Sequence, residues 1–176
     1  MNLNDYIAVI DNYPKKGISF KDITPLVKDP DAFADACSQL AEFAKSVGAN
    51  IIVGPEARGF IFGAPTAIMA HMGFVPVRKP NKLPREVITY TYQLEYGTDT
   101  LCMHRDAIKK GDKVVIIDDL VAVGGTINAV AHMVEELGGE VAGVGCVIAL
   151  EGLSGIKELP EKYPFKALLT LTDEVK

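Results

Sequence analysis

The sequence predicts an α/β fold, a mostly parallel twisted sheet flanked by helices. Apolar runs of strand length alternate along the chain with segments of helical periodicity. The run Val114-Val115-Ile116-Ile117 has no polar alternation, so it reads as a strand buried on both faces, as strands of parallel sheets are. The segments richest in polar chemistry, at residues 56–58, 78–82 and 118–126, each follow a predicted strand. Ligands of open α/β sheets bind there, beyond the carboxyl ends of the strands.

Taken in order, Leu3, Tyr6, Ile7 and Ile10 fall on one face of a short helix predicted over 3–12. Residues 13–30 are rich in turn formers and read as a loop carrying one exposed-type aromatic, Phe20. Phe33, Ala36, Leu40, Phe43, Ala44 and Val47 have the spacing of a helix over 31–47. Ile51-Ile52-Val53 is a short buried strand ending in Gly54-Pro55, followed by a helix from about 59 to 72 and a strand over 74–77. Pro65, Thr66, His71, Gly73 and Pro76 interrupt the apolar stretch 60–77, which therefore suits a buried helix and strand rather than a membrane span. Two prolines, an asparagine and the basic Lys79, Lys82 and Arg85 make residues 79–86 a candidate mobile lid. Strands follow over 87–94 and 100–104, a hairpin about residues 95–99. After the strand at 114–117 come a helix over 126–137, a strand over 141–150 and a short last strand near 167–171.

A chain of 176 residues suits one domain, and 48% hydrophobic with 23% charged residues reads as soluble and globular. The net charge of −5 argues against a general nucleic-acid or anionic-membrane binder, so affinity for polyphosphate must come from a local basic cluster. Cys37, Cys102 and Cys146 are odd in number and widely spaced in apolar stretches, which reads as reduced core thiols in a cytoplasmic protein. Asn2, Asn4 and Asp5 stand where a secretory signal would be basic and then apolar. No HExxH, CxxC, GxSxG or P-loop lysine pattern occurs, which leaves metalloprotease, serine hydrolase and P-loop kinase readings without support.

The chemistry concentrates after the central strand. Asp118 and Asp119 stand where it surfaces, and Ala122-Val123-Gly124-Gly125-Thr126 turns into a helix. Loop N–H groups and the helix dipole can hold a phosphate while the acids accept hydrogen bonds from sugar hydroxyls. Gly124-Gly125 alone also reads as a plain tight turn; the adjacent acids, costly near a core without partners, favour a sugar phosphate. A direct metal site would need His132, which falls off the stripe of Ile127, Val130, Ala131, Val134 and Leu137. It reads instead as part of a surface cluster with Glu135 and Glu136.

Further segments occur in a recognisable order: 54–60 (Gly-Pro-Glu-Ala-Arg-Gly-Phe), 77–79 (Val-Arg-Lys), 82–86 (Lys-Leu-Pro-Arg-Glu) and 94–97 (Leu-Glu-Tyr-Gly). With the Asp-Asp glycine loop, the chain from about Tyr13 to Leu159 resembles the adenine branch of the type I phosphoribosyltransferase family. The resemblance implies that family's fold in a single domain over 1–176. A small N-terminal hood would span about 1–30 and a flexible lid about 79–95. It implies transfer of ribose 5-phosphate from phosphoribosyl pyrophosphate to adenine, giving AMP and pyrophosphate. In that analogy Ala122, Val123, Gly124, Gly125 and Thr126 cradle the 5-phosphate, and Asp118 and Asp119 hold the ribose hydroxyls. Arg58, Arg78, Lys79 and Lys82 face pyrophosphate, with a contribution across a dimer interface among the options. Adenine sits near Ser19, Phe20 and Lys21, stacked on the aromatic and touched by backbone groups. Mg²⁺ rides on the substrate's oxygens with few direct protein ligands, a homodimer is the assembly, and a non-proline cis peptide falls at Glu56-Ala57.

The catalytic assignments are Glu95, to interact with the purine ring and ease its proton loss, and Arg58, to stabilise the leaving group. On the residues alone, Glu95 also reads as a solvated turn carboxylate, Arg58 as a surface arginine and Phe20 as a loop anchor. Three positions depart from the family pattern. Val123 replaces the first threonine of Ala-Thr-Gly-Gly-Thr, and Ala149 and Ile156 replace a glutamate and an arginine. The functional readings are an adenine-salvage enzyme, a transferase with altered purine preference through Lys21 and the changed Ala149 region, and a nucleotide-sensing regulator that has lost turnover.

Overall fold

The structure, a computed structural model, describes residues 1–94 and 96–175. Strands at Ile51–Pro55 (β3), Gly73–Val77 (β4), Lys113–Val121 (β7), Glu140–Glu151 (β8) and Phe165–Thr172 (β9) form a sheet in the order β4-β3-β7-β8-β9. Every neighbouring pair in it is parallel. The central run of β7 behaves as its composition predicts. Val114 and Ile116 enter a core beneath the helix Gly125–Glu136 (α4), while Val115 and Ile117 enter the core on the opposite face. That second core holds the helices Pro30–Ser46 (α2) and Arg58–Ala70 (α3). All four β7 side chains are fully buried, each worth about 1.5–3 kcal/mol of transfer free energy. A charge at any of them would break a core layer.

Helix α2 starts where Pro30 presets the first turn and Asp29 accepts hydrogen bonds from the N–H groups of Asp31 (3.1 Å) and Ala32 (2.9 Å). Its apolar face, which includes Ala36, Leu40 and Ala44, is buried in the core. Helix α3 and β4 follow as expected for the interrupted apolar stretch. Two antiparallel pairs lie outside the main sheet: Ala8–Asp11 (β1) with Ser19–Asp22 (β2), and Val87–Gln93 (β5) with Thr98–His104 (β6). The second pair is tied to the end of β4 by reciprocal backbone hydrogen bonds between Arg78 and Cys102, 3.0 and 2.7 Å long.

Four expectations change. The helix predicted over 3–12 is a 3₁₀ turn at Leu3–Tyr6 followed by β1; a three-four spacing over so few residues does not distinguish a helix from a strand with a nearby partner. The loop predicted over 13–30 contains β2 and a short helix, Thr24–Lys28 (α1), started by Pro25 and by Asp22, which accepts from the Thr24 N–H. The central strand continues to Val121 instead of surfacing at Asp118, because β8 pairs with it through Ala149. A helix at Ser154–Lys162 (α5), with Pro160 inside it, was not predicted. All three cysteines are free and buried, and burial pushes the Cys37 thiol up to about 12. His132 is exposed and faces Glu136 at 3.7 Å, in the surface cluster expected for it. Among the described residues no helix is long and apolar enough to cross a membrane.

Candidate active site

The carboxyl end of β7 carries the two acids side by side. Asp119 is 3% exposed and forms an ion pair with Arg58, Oδ2 to Nε 3.0 Å. Arg58 opens α3 directly after the peptide Glu56-Ala57, which is cis, as the resemblance implies. Asp118 lines a cavity of about 330 Å³ and accepts a hydrogen bond from the Asp119 N–H at 2.9 Å. Burial, and then the charge of Asp119, push the Asp118 carboxyl well above the usual carboxylate range. Gly59 permits this close approach of α3 to β7. A Cβ there would meet Pro55 Cδ at 2.8 Å and Asp118 Oδ1 at 3.1 Å.

The glycine loop forms the floor of the same cavity. Gly124 takes φ +86°, a left-handed conformation that suits glycine, and α4 begins at Gly125 with no side-chain cap among the described residues. Its first N–H groups are therefore open to an anion, with the positive end of the helix dipole behind them. Helix α5 braces the loop from outside. The Gly155 N–H donates to the Ala122 carbonyl at 3.0 Å, and Ser154 Oγ donates to the Val123 carbonyl at 3.1 Å. A Cβ at Gly155 would lie 2.3 Å from that Ala122 oxygen. Ala122, Val123, Gly124, Gly125 and Thr126 all line the cavity, with the Val123 side chain largely exposed at 61%.

The basic residues gather at the ends of β3 and β4. Glu56 Oε1 accepts the Lys79 N–H at 2.6 Å and pairs with Arg78 Nε at 3.3 Å. Arg78 Nη1 reaches the Lys82 carbonyl at 3.5 Å, which joins Lys82 to the group through its backbone while its side chain stays exposed. The Lys79 ammonium pairs with the Asp99 carboxylate on β6. Burial works against ionisation of Asp99, but hydrogen bonds from Lys79 and from the Thr100 N–H hold its carboxyl below the usual range. Tyr92 on β5 donates to Asp99 at 3.2 Å, and its hydroxyl lies 3.3 Å from Thr126 Oγ1 in the glycine loop.

The N-terminal hairpin divides the three residues expected at the base. Successive side chains of β2 point to opposite faces. Phe20 lies beneath the Arg58 guanidinium, 5.9 Å from its ring centroid, and packs edge-on against Tyr13 at 5.3 Å. Ser19 and Lys21 face the other way and are buried. Lys21 Nζ donates to Ser19 Oγ at 2.7 Å, and Ser19 donates to Asp11 at 2.9 Å. Phe20 thus joins the Arg58–Asp119 pair, whereas the side chains of Ser19 and Lys21 do not reach it. Glu95 lies outside the described residues.

Glu56, Tyr92 and Asp99 organise this site without having been singled out from the sequence. Glu56 belongs to the Gly-Pro-Glu-Ala-Arg-Gly-Phe segment, and its charge beside Arg58 is its signal in the sequence. Tyr92 and Asp99 carry none, because the contacts that bring them to the site, with Thr126 and Lys79, span 20 residues or more.

Residues 27–175 match the family model for the phosphoribosyl transferase domain. The chain is similar to an adenine phosphoribosyltransferase of Streptococcus thermophilus, 53% identical over 169 residues that span 96% of this chain and 98% of the relative. It is similar to the crystal structure of adenine phosphoribosyltransferase from Thermoanaerobacter pseudethanolicus, with a TM-score of 0.90 at 48% identity and coverage of 96% and 97%. The enzyme of that name from Saccharomyces cerevisiae, solved with an imino-altritol bisphosphate and adenine, gives 0.86 at 37% identity, covering 95% and 96%.

Proposed function

The chain belongs to the phosphoribosyl transferase family, in its adenine phosphoribosyltransferase branch, and from that premise we propose how its residues divide the reaction. The reaction moves the 5-phosphoribosyl group from pyrophosphate to adenine and yields AMP. One observation carries the assignment: the N-terminus of α4 and Asp118 line one cavity. The N–H groups of 122–126 with Thr126 Oγ1 take the 5-phosphate, and Asp118 and Asp119 take the ribose hydroxyls. Arg58, Arg78, Lys79 and Lys82 meet the pyrophosphate. When its bond to the anomeric carbon breaks, the electron pair leaves with pyrophosphate, and these cations stabilise the charge that develops there.

The sugar is then oxocarbenium-like, and water must be kept from it until adenine attacks. Closure of residues 79–95 serves that purpose, and Glu95 eases loss of the purine proton. Phe20 stacks the base, with backbone groups of 19–21 reading its edge; the Ser19 and Lys21 side chains support the hairpin from behind. Asp118 lines the cavity beside the Arg58–Asp119 pair, and this donor set fits a divalent cation carried mainly by substrate oxygens. Mg²⁺ bound in that way adds charge neutralisation at the leaving group. A homodimer belongs to the reading, and Ile68 (81% exposed) and Met69 (44%) offer apolar surface on α3 for it. The buried free thiols suit a cytoplasmic enzyme.

Pyrophosphate release from phosphoribosyl pyrophosphate, measured with adenine, hypoxanthine and guanine in turn, tests this. Release is expected with adenine alone. Release with hypoxanthine instead would restore the altered-preference reading, and binding without release for any base would favour a regulator.

A further inference from the structure

We infer that Asp99 is a positioning residue of the pyrophosphate arm, an internal carboxylate that holds the Lys79 ammonium and competes with the substrate's pyrophosphate for it. The inference rests on the reading of Lys79 as a pyrophosphate ligand. Asp99 is oriented for the task. Its Oδ1 accepts the Thr100 N–H at 2.9 Å, which turns Oδ2 toward both Lys79 and the Tyr92 hydroxyl. Lys79 is anchored in turn, since its own N–H is held by Glu56 at 2.6 Å. The pair is partly open to solvent, with the side chains 42% and 27% exposed, so an incoming anion can reach it.

The same carboxylate links the two ends of the substrate site. Tyr92 bridges Asp99 to Thr126 Oγ1, and its ring lies about 3.5 Å from where a Cβ on Gly125 would stand. The chain Lys79–Asp99–Tyr92–Thr126 therefore runs from the pyrophosphate arm to the 5-phosphate loop. A pyrophosphate that takes Lys79 must draw its ammonium away from Asp99. Asp99 thereby limits affinity for pyrophosphate as substrate group and as product alike.

The test is binding of inorganic pyrophosphate with Mg²⁺ by calorimetry, together with steady-state kinetics. Asp99→Asn is expected to lower the Kd for pyrophosphate about threefold to fivefold, the range of a partly exposed ion pair. The KM for phosphoribosyl pyrophosphate should fall with it while the KM for adenine stays unchanged. Asp99→Glu, which keeps the charge, should return the Kd toward the wild-type value. In a Lys79→Met background the effect of Asp99→Asn should nearly vanish, as coupling through that lysine requires. An unchanged or raised Kd in Asp99→Asn overturns the inference, and so does a full effect that persists without Lys79. A wild-type protein that neither binds pyrophosphate nor makes AMP would instead defeat the functional reading itself.

Discussion

Val123 stands at the mouth of the cavity with its side chain in solvent, held by a loop whose carbonyl it lends to Ser154. The family pattern has a threonine hydroxyl there, one more donor for the phosphate. A hydrogen bond to a charged group contributes roughly 1.5–3 kcal/mol, and exposure favours the lower end. Val123→Thr is therefore expected to lower the KM for phosphoribosyl pyrophosphate about tenfold, with little change in kcat. An unchanged KM would mean that the loop's N–H groups already saturate the phosphate. The other departures are apolar on both sides: Ala149 is fully buried and Ile156 packs against the same core, so no unpaired charge is left where a Glu–Arg pair would sit. Asp118 carries a further consequence. Its carboxyl binds its proton more tightly in the folded than in the unfolded chain, because of burial and the neighbouring Asp119. That stability is fully present below the ordinary carboxylate pKa and is lost as pH rises toward the folded value. Unfolding free energies of Asp118→Asn and wild type, from urea melts, should thus diverge in favour of the variant as pH rises above the ordinary carboxylate range, by at most about 1.4 kcal/mol per pH unit. Parallel curves would count against the raised carboxyl.

At the scale of elements, α5 shows how a weak local signal becomes a functional part. Gly155 and Pro160 are poor helix formers, which hides the helix from a reading by propensity. Tertiary burial of Gly155 and Leu159 makes it, and the glycine is needed because its backbone meets the Ala122 carbonyl. Gly155→Ala should push the phosphate loop outward. The KM for phosphoribosyl pyrophosphate is expected to rise at least tenfold, with about 1–3 kcal/mol of stability lost to overpacking in a denaturant melt. A KM within twofold of wild type would show that α5 does not set the loop. The N-terminal hairpin makes the complementary point. Ile10 pairs with Phe20 across β1 and β2, and this long-range partner, not the spacing of Leu3, Tyr6, Ile7 and Ile10, decides the conformation. The hairpin also decides which face of β2 looks at Arg58, and so separates Phe20 from Lys21.

For the whole molecule, the sheet order β4-β3-β7-β8-β9 brings the ends of β3, β4 and β7 side by side. Segments around residues 56, 78 and 119 become one site as a result. The sequence by itself determined the parallel α/β class, the doubly buried β7, the anion-ready turn into α4 and the family to which its segments belong. Each of these is written in local periodicity, in turn chemistry or in short ordered patterns. Only the tertiary structure decided that Glu56 gathers Arg78 and Lys79, that Arg58 bridges Phe20 and Asp119, and that Asp99 holds Lys79. Those partners lie about 20 residues apart or more. Which of them meet is set by strand order, register and the face on which each side chain emerges, and no local pattern encodes these.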